Sequence, residues 1–600
     1  MTEGPHHGEP YFRHAPRAPG DRPLQHATRY LSAGAYLRVR FERRVISELL
    51  YEPNRAVVPS FGFDLEVVLR HALRARRLRL ARDMTLIVLW TLAYLPAPRQ
   101  TVGVGMTLFG VAVVIAGARW LGRAGARARR NALGALLLLA AGYGGLVWFG
   151  GRLDGGSGYD SSPPSVPIED VGAENGLLTP VTLLALAVVV LGHRALVLRS
   201  LSRALAPGAM GPGPAVRGDR AEQALARIGS AQNGNITLYG GENPFLGAGR
   251  FDARRTVAWS IVLELDRPSG KGSPDLRKER ARPDPVAMYA RVREEMQAMR
   301  DEWPPHRPGA PEPRRDQWLP PNERVVSMVI TDHVVGHGEV DHRRSPASPD
   351  GGHPLVDPRG GGVPYSVATP PAIEAIMRHP QAGARYYQRI TVGAQSQQVV
   401  GRAGDPVLDA EEQDYAVSTF LHLAIEGRML YAQFAAVPLP PVRDEFRVVD
   451  VASSWTPAHL VGHTLLAGWR DAAATALLAV PRTARTLAEM ASGALAARYG
   501  RPPITRVIHD YGARLSVREL GAARGFGTYM QELDVVKYTR LVQQRVNDAV
   551  LDYLEGECGV DVSAYRAQAA QITNNSVTIT GDVSGQVAVG GQVQQKQGDD

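Results

Sequence analysis

Hydrophobic residues run together between positions 84 and 198, and elsewhere they alternate with polar ones or recur at helical spacing. Four apolar blocks stand out, at 84–97, 101–118, 132–150 and 177–198. A membrane-crossing helix needs about 20 apolar residues, because the hydrocarbon layer is about 30 Å thick and a helix rises about 1.5 Å per residue. The third and fourth blocks come close to that length. The first two are shorter, and Pro96, Pro98, Arg99 and Gln100 lie between them, so they form either one broken helix or a tight hairpin.

Outside this region the period changes. Over 27–50, Leu31, Tyr36, Leu37, Phe41, Val45, Ile46 and Leu49 recur mostly at three- to five-residue spacing, which predicts an amphipathic helix. Pro53 and Pro59 end it, and 63–80 reads as a second, basic helix. Residues 1–26 have little to bury and are expected to be disordered. Past a Gly/Pro-rich linker, alternation and β-branched content predict strands at 235–239, 257–265, 324–335, 386–392, 417–425 and 429–437. The last two flank Glu426-Gly427 as a hairpin. Helices are predicted at 217–228, 285–303 and 372–378, then at 455–480, 483–499 and 534–554. The 455–480 helix is nearly apolar enough to span, but Arg470 and Asp471 near its centre put it on the domain or along the membrane surface.

Charge sets the expected topology. Arg70, Arg74, Arg76, Arg77, Arg79 and Arg82 precede the first apolar block, and Arg119, Arg123, Arg127, Arg129 and Arg130 follow the second. Positive residues stay cytoplasmic, so both flanks lie on one side and the hairpin is preferred. The loop 151–176 carries Arg152 against Asp154, Asp160, Glu169, Asp170 and Glu174, and Arg199 and Arg203 follow the fourth block. The reading is a multi-pass cell-membrane protein with four transmembrane helices and both termini cytoplasmic. No apolar run occurs in the first thirty residues, so a cleaved signal peptide is not expected. No charge sits in the middle of any block, which disfavours a transporter. The overall charge of +9 owes much to arginine at the membrane boundary. It fits contact with a lipid bilayer, and no nucleic-acid motif accompanies it. The single cysteine, Cys558, excludes an intrachain disulfide and fits a reducing compartment.

Three stretches carry candidate chemistry. In TDHVVGHGEVDHRR, the residues His333, His337, Asp341 and His342 are candidate metal ligands, since imidazole and carboxylate suit zinc-like ions. Gly336 and Gly338 argue for a loop there, and the HExxH pattern is absent. The glycines of GGENPFLGAG, 240–249, suggest a phosphate cradle, but no Lys-Ser/Thr helix follows, so a turn is expected. At the C-terminus VTITGDVSGQ is followed by VAVGGQVQQ, so that Val577, Ile579 and Val583 match Val587, Val589 and Val593. This ten-residue period fits a short β-solenoid-like repeat. Two rungs do not close a core, so self-association, or a partner with a similar repeat tail, is expected.

RYLSAGAYL, EPNRAVVPSFGFDLEVVLRHAL, NITLYGGENPFLGAGR and HDYGARLSVREL, with the last helix and its Gly/Val tail, resemble a family of actinobacterial, streptomycete-type, multi-pass membrane proteins of unknown function. The resemblance implies membrane location and supplies no catalytic residues. The expected layout is a disordered 1–26, a cytoplasmic helical segment 27–83, a four-helix α-helical membrane domain 84–198, a linker 199–216, a cytoplasmic α+β domain 217–445, a helical region 446–572 and a repeat tail 573–600. The expected function is a non-enzymatic scaffold or sensor without a cofactor that self-associates through its C-terminal repeat; the alternative is a membrane-tethered, metal-dependent hydrolase using the His/Asp-rich loop 332–342.

Overall fold

The computed structural model describes residues 11–20, 22–123, 178–249, 257–265, 282–301, 319–320, 322–341, 353–357, 361–395, 398–401, 404–409, 412–499, 508–563 and 565–566. Its longer helices are α1 (His26–Leu37), α2 (Val39–Leu50), α3 (Leu65–Tyr94), α4 (Pro98–Arg123), α5 (Leu178–Ala204) and α6 (Asp219–Ala231). Further on come α7 (Pro285–Arg300), α8 (Pro370–Arg378), α9 (Pro457–Leu477), α10 (Ala479–Tyr499) and α11 (Tyr529–Gly556).

The amphipathic pattern of 27–50 gives two helices, because Arg38 is extended (φ −125°, ψ 105°) where its guanidinium turns to Glu445. The basic helix expected at 63–80 and the apolar block at 84–97 are one 30-residue helix, α3. Asp64 caps it by accepting from the N–H groups of Glu66 and Val67, and no breaker intervenes before Leu95. α4 then folds back, since the Thr101 hydroxyl donates to the Ala93 carbonyl at 2.8 Å. The first two apolar blocks therefore make a hairpin. Among the described residues, Pro98–Gly117 and Leu178–Ala204 are long and apolar enough to cross a membrane. The block at 132–150 lies outside the described residues, as does the tail 573–600. Of the segment 1–26 expected to be disordered, residues 1–10 and 21 lie outside the described residues, while in the rest Phe12–Arg13 pairs antiparallel with Val367–Ala368, and Arg17 pairs with Glu66.

The alternating segments form one mixed sheet of β1 (Ile236–Tyr239), β2 (Val257–Glu264), β3 (Met328–His337), β4 (Ala384–Gln395), β5 (Glu412–Glu426) and β6 (Met429–Leu439), in the order β1-β3-β4-β5-β6-β2. β1 is parallel to β3 and every other neighbouring pair is antiparallel. The β5–β6 turn has φ of 55° at Gly427 and 63° at Arg428, the positive pair of a type I′ hairpin. β3 continues to His337, into the histidine-rich stretch expected to be a loop, and there it is paired on both sides, by β1 and β4.

α7 and α11 cover one face of the sheet. Met288, Tyr289, Val292 and Met296 of α7 meet Val542, Val546, Ala549, Val550, Tyr553 and Leu554 of α11 in the main core. Leu541, expected on the same face, is 42% exposed. The boundary expected at 446 thus does not separate two bodies, since α11 completes the core of the sheet.

Candidate functional site

Side chains alternate across a strand, so the residues of β3, β4 and β5 that do not face α7 and α11 point to the opposite face. That face is covered by two connections, the segment 51–64 leading into α3 and the glycine loop 240–249. Phe245 of the loop stacks on Phe420 with centroids 4.2 Å apart and meets Tyr387 edge-on at 5.2 Å.

The centre of this face is charged. Arg389 is 1% exposed and its guanidinium lies 3.3 Å from the centroid of the Phe61 ring. Its Nε donates to Thr391 Oγ1 at 3.0 Å and its Nη2 to Ser418 Oγ at 2.9 Å. Nη1 has no acceptor among the described residues. Burial pushes the Arg389 pKa down to about 9, with the Glu519 carboxylate opposing that shift. Beside it His333 is 1% exposed, with its ring 5.1 Å from that of Phe420. Burial first and the Arg389 charge second lower its pKa to about 3, against the pull of the Pro244 carbonyl. His333 is therefore a neutral imidazole at ordinary pH.

Glu519 holds the glycine loop in place. Its Oε1 accepts from the N–H of Gly247 at 2.5 Å and from that of Gly249 at 3.2 Å. These glycines have φ of +99° and +138°, and their amides form the kind of concave donor pair that binds anions. GGENPFLGAG is thus a turn, as expected, and its anion is a carboxylate of the same chain. The neighbouring Arg518 is fully buried, its pKa lowered to about 10 by burial, and it donates to the carbonyls of Asp414 and Pro440.

The candidate metal ligands separate. His333 points into the buried face, while His337, exposed at the end of β3, meets Tyr239 edge-on at 5.4 Å. Residues four apart share a face of a strand but stand about 13 Å from each other, whereas on a helix the same spacing would have made the two rings neighbours one turn apart. Asp341 lies in the short strand Glu339–Asp341 paired with Ile508–Asp510, and His342 is outside the described residues. Among the described residues no three His, Cys, Asp or Glu side chains converge on a metal position. The proposed self-association residues, Val577, Ile579, Val583, Val587, Val589 and Val593, are outside the described residues too.

Sequence reading missed Arg389, Phe61 and Glu519. The signal for Arg389 was present in YYQRITV, a guanidinium in the middle of a β-branched strand. No spacing ties Phe61 or Glu519 to it, because their partners are distant in the chain.

The family model for the AbeC-like domain matches residues 258–590, more than half of the chain. No curated protein and no solved structure matches it. The matched region holds β2 through β6 and α11, but β1, the glycine loop and Phe61 come from the residues before it.

Proposed function

The chain belongs to the AbeC-like domain family, and on that premise we propose a multi-pass membrane protein whose AbeC-like domain serves on the cytoplasmic side as a non-enzymatic scaffold or sensor. In this reading four helices cross the membrane, both termini are cytoplasmic, and the domain self-associates through its C-terminal repeat or binds a partner with a similar one. The observation that carries it is the contact of Phe61 with Arg389. Phe61 lies just before α3, whose far end carries the first apolar block, and Arg389 is central in the sheet. A shift of the membrane helices relative to the domain has to disturb this buried contact.

Two measurements test the reading. Membranes from expressing cells are washed with carbonate and high salt, and the full chain is expected to stay in the pellet; release into the supernatant overturns the integral-membrane part. Light scattering in detergent then compares the full chain with one ending at residue 572. A smaller assembly for the truncated chain is expected, and equal sizes overturn self-association through the tail.

A further inference from the structure

The matched domain contains a helical hairpin that leaves the sheet. α9 and α10 turn on Leu478, three residues before Pro481, which sits in the first turn of α10 where its missing N–H costs nothing. The hairpin packs among the apolar helices. Ala476 and Ala479 are buried with Leu86 of α3 and with Leu186 and Val190 of α5. The indole N–H of Trp90 donates to the Ala476 carbonyl at 3.1 Å. Further back along α9, an added Cβ on Gly468 would lie 2.6 Å from Leu191, so the two helices touch closely there.

Depth follows from α3. Its last acidic residue, Asp83, is 4% exposed and holds Arg82 at 2.7 Å and Arg482 of α10 at 3.5 Å. Trp90 is seven residues further on, about 10 Å along the helix axis. The tip that meets Trp90 therefore projects beyond this charged layer into the apolar one. Its side chains are those of a lipid contact: Leu478 is 51% and Val480 57% exposed. Val88 of α3, beside Trp90 in sequence, and Leu184 of α5 are exposed apolar residues as well. Arg485, 68% exposed at its side chain, follows one turn later, at the level where anionic headgroups would lie.

We propose that the hairpin 457–499 is a membrane wedge, whose tip around Leu478 and Val480 inserts among the lipids of the leaflet facing the AbeC-like domain and leaves on the side it entered. Its partner is the bilayer itself. The wedge rests on the membrane reading given above, and it adds an attachment made by the AbeC-like domain. Inserting the turn exposes few charges to hydrocarbon, because Asp471 stays nearer the surface and pairs with Arg119 at 2.9 Å.

The test uses the full chain in vesicles of phosphatidylcholine and phosphatidylglycerol. Cys558, the only cysteine, is changed to Ser, and single cysteines replace Leu478, Leu184 or Met530 for labelling with an environment-sensitive fluorophore. Lipids spin-labelled near the headgroup are expected to quench the label at 478 several-fold more than at 530, which is exposed at the start of α11. Residue 184 reports on the span. Quenching at 184 with 478 no different from 530 overturns the wedge and leaves the membrane reading standing. No quenching at 184 overturns both. A second variant, Val480→Asp, keeps the buried Ala476 and Ala479 intact; loss of quenching at the label on 478, with quenching at 184 unchanged in the same background, is the result expected of a tip held by lipid, and undiminished quenching at 478 overturns it.

Discussion

Arg389 and His333 set the properties of the covered face one side chain at a time. Removing a buried charge while keeping its volume avoids a desolvation cost of several kcal/mol. Truncation to Ala instead opens a hole under Phe61, and core cavities of that size cost about 2–5 kcal/mol. The hydroxyls that Arg389 would leave behind already bond each other, Thr391 to Ser418 at 2.9 Å. Arg389→Met is therefore expected to melt within a few degrees of the parent, and Arg389→Ala well below it, in thermal unfolding of the detergent-solubilised chain. Equal losses would show that the charge itself is required. His333 gives a pH dependence. Its pKa falls from 6.5 in the unfolded chain to about 3 in the folded one, so between those values the unfolded chain binds the proton that the folded chain excludes. Its contribution is complete above pH 6.5 and is lost as the pH falls towards 3, amounting to roughly 1 kcal/mol by pH 5.5. Burial also lowers the pKa of His71 to about 3 and depresses those of His353 and His422. His333→Leu is thus expected to shrink the drop in melting temperature between pH 7.5 and pH 5.5 without abolishing it. An unchanged drop would mean that His333 is not held neutral by the fold.

At the scale of elements, periodicity was the most legible feature and close backbone approach the least. The alternation that predicted six strands marks out the six strands of the sheet, and the 3.6-residue pattern of 534–554 marked the helix face that is buried. The histidine stretch was misread because Gly336 and Gly338 look like loop residues. Gly338 instead lets the backbone of Gly512 approach: a Cβ there would lie 2.2 Å from the Gly512 nitrogen, and one on Gly512 would lie 2.2 Å from that of Gly240. Three glycines from three parts of the chain meet, and a single sequence does not display such a meeting. Gly338→Ala has to displace backbone and is expected to cost about 1–3 kcal/mol, as overpacking does. Gly241 has open space around its Cβ position, and Gly241→Ala is expected within about 0.5 kcal/mol of the parent. Denaturant unfolding of the two variants checks the contrast, and equal midpoints would remove the argument from close approach.

For the molecule as a whole, hydropathy marked the two helices that are long and apolar enough to cross a membrane among the described residues, but it did not divide the domains. The expected boundary at 446 fails because α11 supplies core to a sheet that ends at Leu439, and the family match crosses that boundary as well. The topology rests on arginines and on the α3–α4 hairpin. The first arm offers only the stretch from Met84 to Tyr94, about 16 Å of helix, less than the roughly 30 Å of a bilayer core. This shortfall leaves the sidedness untouched, since a hairpin returns to the side it left whether or not its tip emerges. In the proposed topology Arg119 and Arg123 at the end of α4 would share a side with Arg79 and Arg82 of α3. α5 carries Arg199 and Arg203 at its end, and that end meets the helices α1 and α3 through Leu198 and Leu201. For both to be cytoplasmic, the chain between residues 123 and 178 must cross outward once before α5 brings it back, and the acidic loop 151–176 is the segment to find outside. Reporters fused after Arg130 and after Arg203 are expected to read cytoplasmic, and one at Ser157 external. An external signal at 130 would mean that α3 and α4 do not enter and leave together, and it would remove the basis for placing the AbeC-like domain on the cytoplasmic side.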